Sequence, residues 1–393
     1  MSAWIEVPEG SPFGPDNLPY GVFRRDGEPR VGVAIGERVI DLLELARARL
    51  LDAPAEVFRT PSLNPFMALG PRYWSACWAR LRELVADDSN RSAVEPALLA
   101  LAEAKPLLPI EVADYVDFYS SLEHAANVGR MLRPAADPLP ANWRHLPAAY
   151  HGRSGTVVVS GTPVPRPSGQ RLGPDGPLFG PSAMLDVELE LGFVIGTPSR
   201  RGEPVPVESA LEHVFGVVLL NDWSARDIQA WEYQPLGPFL AKSFATSIGA
   251  WVTPLDALMP YRVAGSRQEP PPLDYLRTEP GVFDLSLELR IGPDAVAQTS
   301  ARHLYWSVEQ QIAHLTVNGA SLRTGDLLGT GTISGPEKHE RGSLLELSWG
   351  GTEPIELSDG SSRTFLEDGD EVVLRGSAGP GLGLAEVRGR VSG

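Results

Sequence analysis

Two glutamates two positions apart define the chemistry open to this chain. Glu188 and Glu190 lie in the run Met184-Leu-Asp-Val-Glu-Leu-Glu-Leu-Gly-Phe193, whose alternation predicts a strand. Residues i and i+2 on a strand share a face, so both carboxylates project together while Val187, Leu189 and Leu191 face the opposite layer. Like charges this close repel unless a proton or a cation compensates them. A solvated strand face is the competing reading of the pair alone, because acidic side chains are mostly exposed. Asp222 shifts the balance: it follows the apolar run Val217-Val218-Leu219-Leu220, after Asn221, and a carboxylate at the end of a buried strand can ligate a metal or cap the turn that follows. Asp117, in Asp114-Tyr-Val-Asp-Phe-Tyr, is the fourth candidate. Four hard oxygen donors without a Cys or His cluster favour Mg²⁺, Ca²⁺ or Mn²⁺ over zinc. Spacing alone does not bring the four together.

His124 follows in Ser121-Leu-Glu-His-Ala-Ala-Asn127. A histidine serves as a general base near neutral pH when a carboxylate orients it, and Glu346, in Leu344-Leu-Glu-Leu-Ser-Trp349, could be that carboxylate. Its alternation with apolar neighbours predicts a strand, and a surface histidine with an outward-facing glutamate is the plainer reading. Arg226, Gln229, Tyr233 and Lys242 fall within one window, residues 223–244. If a helix starts there, Arg226 and Gln229 are neighbours, and with a lysine they offer several donors to a developing oxyanion. An ordinary polar helix face is the alternative.

The elements that must position these groups are mostly strands. Residues 20–41 alternate in short apolar runs around Asp26-Gly27 and Gly36-Glu37, which predicts a small antiparallel β-module. From Leu42 to about Leu101 the chain turns Ala-, Leu- and Arg-rich, with Trp74, Trp78, Leu81 and Val85 at helical spacing. Pro106 and Pro109 predict a linker. Beyond Glu111, runs 157–159, 185–195, 214–220, 283–291, 344–349 and 371–374 are strand-like. One clear helical pattern appears there, from Trp306 to Val317. The expected organisation is an N-terminal unit over 1–110 and a β-rich domain over 111–393.

Composition narrows the function classes. Of 393 residues, 34 are basic and 50 acidic, a formal charge of −16, and no Lys/Arg run forms a basic patch, which argues against nucleic acid and anionic lipid as partners. The single cysteine, Cys77, excludes a disulfide framework or a multi-cysteine zinc site, and its aromatic neighbours predict a buried helical thiol. The first residues lack an apolar signal-peptide core, and no stretch reaches the roughly 20 apolar residues of a membrane span. The cytoplasm is the expected compartment.

Several long runs together resemble the fumarylacetoacetase family: DFYSSLEHAANVG (117–129), YHGRSGTVVVSGTPVPRP (150–167), LDVELELGF (185–193), the segment 215–244, GTISGPE (331–337) and LLELSWGG (344–351), with NLPYGVF (17–23) and VGVAIGERVIDL (31–42) before them. The resemblance spans nearly the whole chain. It implies a mainly β (α+β) fold, an N-terminal SH3-like β-barrel followed by a C-terminal mixed β-roll, assembled as a homodimer. It also implies hydrolysis of the C–C bond of a small diketo acid, 4-fumarylacetoacetate, in the last step of tyrosine and phenylalanine catabolism. By the same resemblance Asp117, Glu188, Glu190 and Asp222 hold Ca²⁺ or Mg²⁺, and Lys242 and Thr246 lie near a further Mg²⁺. His124 is the base and Glu346 its orienter. Arg226, Gln229 and Lys242 are oxyanion donors, and Tyr119, Arg133, Tyr150, Tyr233 and Thr332 contact substrate. The chain departs from the animal pattern at Leu122-Glu123, Gly329-Thr330 and the stretch from Arg375 to Leu384, which removes no implied catalytic residue. A related acylpyruvate hydrolase, hydratase or decarboxylase is the nearest alternative, against which residues 17–42 argue. A non-catalytic metal-binding protein of the same fold would be expected to lack the base or its orienter, and both are present.

Overall fold

The computed structural model describes residues 3–132, 135 and 137–393. Strands β1 (Tyr20–Arg25) and β2 (Glu28–Ile35) are joined by Asp26-Gly27. Both residues have positive φ, 52° and 83°, as a tight two-residue hairpin turn requires. Strand β3 (Arg38–Asp41) completes the expected meander. Helix α1 (Pro71–Ala86) starts on a proline, which fits a first-turn position with no donor to lose, and buries Trp74, Cys77, Leu81 and Val85.

The site-bearing elements follow in order: β4 (Tyr115–Phe118), α2 (Leu122–Leu132), β5 (Leu189–Ile195), β6 (Val214–Asp222), α3 (Arg226–Glu232) and β7 (Trp251–Pro254). Then come β8 (Ser286–Ile291), α4 (Val308–Thr316), β9 (Leu327–Gly329), α5 (Leu344–Leu347), β10 (Glu371–Gly379) and β11 (Leu382–Ser392). The expected helix around 306–317 is α4, opened by a reciprocal capping box between Ser307 and Gln310.

One large sheet carries both halves of the chain. Its order runs from strand Leu98–Ala100 through β3, β2, β1, β7, β6, β5, β9 and β4 to strand Ala149–His151. Off that order, strand Lys105–Pro106 also pairs β1, with Phe23 opposite Pro106, so the segment that follows Leu98–Ala100 returns to the start of the meander. β1 also hands over to β7, with Tyr20 opposite Val252. A second sheet places β8, β10 and β11 side by side. The alternation of β5 and β6 serves two cores at once. Leu189, Leu191, Phe193, Val217 and Leu219 join Leu287, Leu289 and Leu374 in one. Val194, Val218 and Leu220 join Val33, Phe66 and Trp74 of the N-terminal segment in the other. Each such buried side chain contributes about 1.5–3 kcal/mol. No helix among the described residues is long and apolar enough to cross a membrane.

The expected strand 344–349 is a correction. Residues Leu344–Leu347 form the helical turn α5. Ser343 caps it, its Oγ accepting from the Glu346 N–H, and the Leu-Leu-Glu-Leu alternation reflects burial rather than a pleat. The pattern Ser343-x-x-Glu346 is itself a helix-start signature.

Candidate active site

The sheet register gathers the four acids at one end of neighbouring strands. Glu190 is paired with Leu220 near the start of β5, and Asp222 ends the antiparallel β6. Asp117 of β4 lies between Gly329 of β9 and Tyr150. One carboxylate oxygen from each of Asp117, Glu188, Glu190 and Asp222 falls within 4.8 Å of all the others, and all four residues are buried. Gly329 makes the approach possible: a Cβ there would sit 3.0 Å from Glu190 Oε2 and 3.3 Å from Asp117 Oδ1.

The cluster is only partly neutralised. Lys242 Nζ donates to Glu188 Oε2 at 2.6 Å and to Asp222 Oδ2 at 2.9 Å. Arg226 Nη2 lies 2.8 Å from Glu188 Oε1. Thr246 Oγ1 and Tyr150 OH each donate to Asp222, at 3.0 and 3.1 Å, and the Gly331 N–H donates to Glu190 Oε2. Asp117 Oδ1 and Glu190 Oε1 are buried with no hydrogen-bond partner, an arrangement costly for any carboxylate. Burial opposes ionisation of Glu188, yet Lys242 and Arg226 hold it well below the usual carboxylate range. Burial pushes Asp117 and Glu190 well above that range, and the neighbouring carboxylates push the same way. Four acids thus share two cations, and Asp117 and Glu190 each keep one buried oxygen without a donor. A hard divalent cation fits that deficit in charge and donor type.

Beside the cluster stands a second buried acid, differently served. Glu346 Oε2 lies 2.6 Å from His124 Nδ1 on α2 and accepts from Ser334 Oγ at 3.0 Å and Ser343 Oγ at 2.9 Å, while Oε1 accepts from Asn127 Nδ2 at 3.0 Å. Burial alone would raise its pKa, but His124 and these donors hold it below the usual range. With Nδ1 engaged, His124 has Nε2 left for proton chemistry. Tyr119 packs edge-on against the imidazole, centroids 5.3 Å apart.

A cavity of about 480 Å³ joins the two groups. Asp117, Glu188, His124, Arg226, Gln229 and Lys242 line it. Tyr119, Tyr150, Tyr233 and Thr332 line it as well, and Thr332 Oγ1 is buried without a partner. Gln229 Oε1 accepts from Arg226 Nη1 at 3.1 Å, which joins the two as the helical spacing predicts. Glu190, Asp222, Thr246 and Glu346 stand behind this lining. Arg133 lies outside the described residues. Sequence reasoning missed Asp186, Asn127, Ser334 and Ser343. Asn127 was findable as the i+3 neighbour of His124, and Ser343 through the capping pattern. Ser334 and Asp186 act across long sequence separations and leave no local signal.

The fumarylacetoacetase N-terminal family model matches residues 16–109, and the fumarylacetoacetate hydrolase C-terminal model matches residues 114–392. Human fumarylacetoacetase is 46% identical over 99% of this chain and 98% of its own length. The Caenorhabditis elegans fumarylacetoacetase is also 46% identical, over 100% and 99%. Among solved structures, a fumarylacetoacetate hydrolase from Exiguobacterium antarcticum superposes with a TM-score of 0.58 at 18% identity, covering 95% of this chain and 99% of that one, a likeness of fold. Matched along almost its entire length by both models and by these relatives, the chain belongs to the fumarylacetoacetase family.

Proposed function

We propose that this protein hydrolyses the C–C bond between the fumaryl carbonyl and the adjacent methylene of 4-fumarylacetoacetate, giving fumarate and acetoacetate, the last step of tyrosine and phenylalanine breakdown. The observation that carries the reading is the buried His124–Glu346 pair, 2.6 Å apart, opening on the same cavity as the four-acid cluster. Asp117, Glu188, Glu190 and Asp222 would hold a divalent cation, Mg²⁺ or Ca²⁺, which when bound polarises the oxygens of the diketo acid. Lys242 uses two of its three N–H donors on Glu188 and Asp222 and, as an ammonium, has no lone pair for a metal, so its contact with a further ion falls to its backbone oxygen, and that of Thr246 to its backbone oxygen or hydroxyl.

His124, held by Glu346, takes one proton from a water at Nε2. The hydroxide formed adds to the fumaryl carbonyl carbon. Arg226, Gln229 and Lys242 stabilise the negative oxygen of the tetrahedral intermediate. Its collapse breaks the C–C bond, and the electron pair leaves on the methylene carbon as the acetoacetate enolate. That carbon takes back the proton carried by His124 and becomes the methyl group of acetoacetate. Tyr119, Arg133, Tyr150, Tyr233 and Thr332 are assigned to substrate positioning. Turnover in H₂¹⁸O should place one labelled oxygen in fumarate and none in acetoacetate beyond ketone exchange, and turnover in D₂O should label the acetoacetate methyl. Label retained in an unbroken hydrated product would contradict cleavage.

We also assign residues 1–110 and 111–393 as the two organisational units, the first as the SH3-like module, and the cytoplasm as the compartment. The assembly we assign is a homodimer. Apolar side chains on the hairpin 168–181 and the loop after α3, among them Phe179 at 79% and Leu236 at 94% exposure, support a covered face. A Phe179→Asp chain that keeps the wild-type mass in light scattering would remove that support.

A further inference from the structure

One buried carboxylate ties the oxyanion donor to the turn that carries the base's partner. Asp186 is fully buried and sits in a two-residue strand, Leu185–Asp186, paired with Ser224–Ala225 immediately before Arg226. Its Oδ2 accepts from Arg226 Nε at 2.8 Å and from the Leu345 N–H at 3.0 Å. Its Oδ1 accepts from the Leu344 N–H at 2.8 Å and from its neighbour Val187 at 2.8 Å. Leu344 and Leu345 open α5, and their N–H groups are among those a helix start leaves without intrahelical acceptors. Glu346 follows one residue later and holds His124.

The two halves of the proposed machinery come from segments more than a hundred residues apart, Arg226 from α3 and Glu346 from α5. Asp186 accepts from both. Arg226 has three calls on its guanidinium: Asp186 at Nε, Gln229 at Nη1 and Glu188 at Nη2. The Asp186 bond holds the Nε side of the fork from behind the cavity lining, while the two terminal nitrogens meet Gln229 and Glu188, which line the cavity. A guanidinium is a rigid planar fork, so fixing one edge sets the aim of the others.

We infer that Asp186 is a positioning residue of the reaction: it sets the aim of Arg226 and the placement of the Glu346 turn at once, without touching substrate. The inference rests on the hydrolase reading above. Asp186→Asn is the sharpest perturbation. An amide has one acceptor oxygen, so its NH₂ must face two donors, either Arg226 Nε with the Leu345 N–H or the Leu344 N–H with that of Val187.

The test compares wild type, Asp186→Asn, Arg226→Gln and the double variant, each expressed per site that binds Mg²⁺ or Ca²⁺ by calorimetry. The expected result is a kcat loss of about 100-fold in Asp186→Asn, in line with loss of one oxyanion donor, with cation stoichiometry retained. KM should move less than kcat. The double variant should be within about threefold of Arg226→Gln, because residues acting in series are not additive. Independent, multiplicative losses, or a kcat within threefold of wild type, would overturn the inference. Should Asp186→Asn fail to fold, nitrogen-15 NMR of the wild-type arginines decides the same point. The Arg226 Nε–H, assigned by its disappearance in Arg226→Lys, should exchange far more slowly than that of an exposed arginine, and equal exchange would overturn the inference. Neither calorimetry nor proton exchange needs the substrate, so failure of the hydrolase reading appears separately, as no turnover by wild type.

Discussion

Two buried acidic regions share one cavity and are built on opposite principles. Glu346 is surrounded by donors, His124, Asn127, Ser334 and Ser343, that serve both of its oxygens. It keeps its charge in a dry place because the charge of His124 and hydrogen bonds to the ionised form outweigh the cost of burial. Asp117 and Glu190 are equally buried, yet each has an oxygen with no partner, and burial together with neighbouring acids drives them toward the protonated form. The first arrangement is complete within the chain. The second leaves two carboxylate oxygens without a donor, a deficit that a divalent cation fits. Residue type is the same in both, so role follows from the donors around the carboxylate.

The largest expected effect separates the two regions by function. His124→Ala should lower kcat by about 10³-fold, within the range for losing a general base, while the cation is bound as before in calorimetry. A parallel loss of cation affinity would merge the two regions into one.

Next comes the response to pH. In cation-free protein the raised carboxyls of Asp117 and Glu190 favour the protonated fold, so their contribution to stability is lost as pH rises from the ordinary carboxylate range through their raised values. A cation replaces those protons. The stabilisation on adding Mg²⁺ or Ca²⁺, read from thermal unfolding, should therefore be small near pH 5 and larger near pH 8, approaching about 2.7 kcal/mol at a hundredfold excess over Kd. A shift independent of pH would break this half of the comparison.

The same acid-to-amide change should then carry opposite signs. Glu346→Gln should destabilise by about 2 kcal/mol, the order of hydrogen bonds to a charged group. Because the Glu346 pKa is depressed in the fold, that difference is present above the ordinary carboxylate value and fades as pH falls through the depressed one. Glu190→Gln in cation-free protein should instead stabilise at neutral pH, since an amide is neutral without having to take up the proton that burial and neighbouring acids impose on Glu190 in the fold. Chemical denaturation of the two variants side by side gives both signs.

The smallest effect lies outside the cavity. Burial pushes Asp326 up to about 6, against the pull of Arg323. Its raised value means a penalty fully present above that pH and relieved on acidification. Asp326→Asn should gain on the order of 1 kcal/mol at pH 8, less than the full shift implies because the contact with Arg323 weakens, and nothing near pH 4.

The readable part of this molecule is the part with local periodicity. Glu188 and Glu190 could be placed on one face because strand alternation is a two-residue rule, and Val187, Leu189 and Leu191 do enter the opposite core. The hairpin at Asp26-Gly27 and the helix at 308–316 follow from equally local signals. The turn bearing Glu346 was misread because four alternating residues fit a strand as well as a buried helical turn. What decides between them is Ser343 next door and Asp186, 158 residues away. The pairing of β1 with β7 is likewise a contact between segments far apart, set by tertiary packing that no local pattern encodes. Asp117, His124, Arg226 and Lys242 stand out by residue type and sequence neighbourhood, and family resemblance gave them roles in one site. The geometry adds why those side chains meet.

The most direct test follows the absorbance of fumarylacetoacetate with protein stripped by chelator and then reloaded with Mg²⁺ or Ca²⁺. The account predicts decay only in the reloaded sample, with fumarate and acetoacetate formed in equal amounts. Decay that ignores chelation, or no decay with any divalent cation, would contradict it.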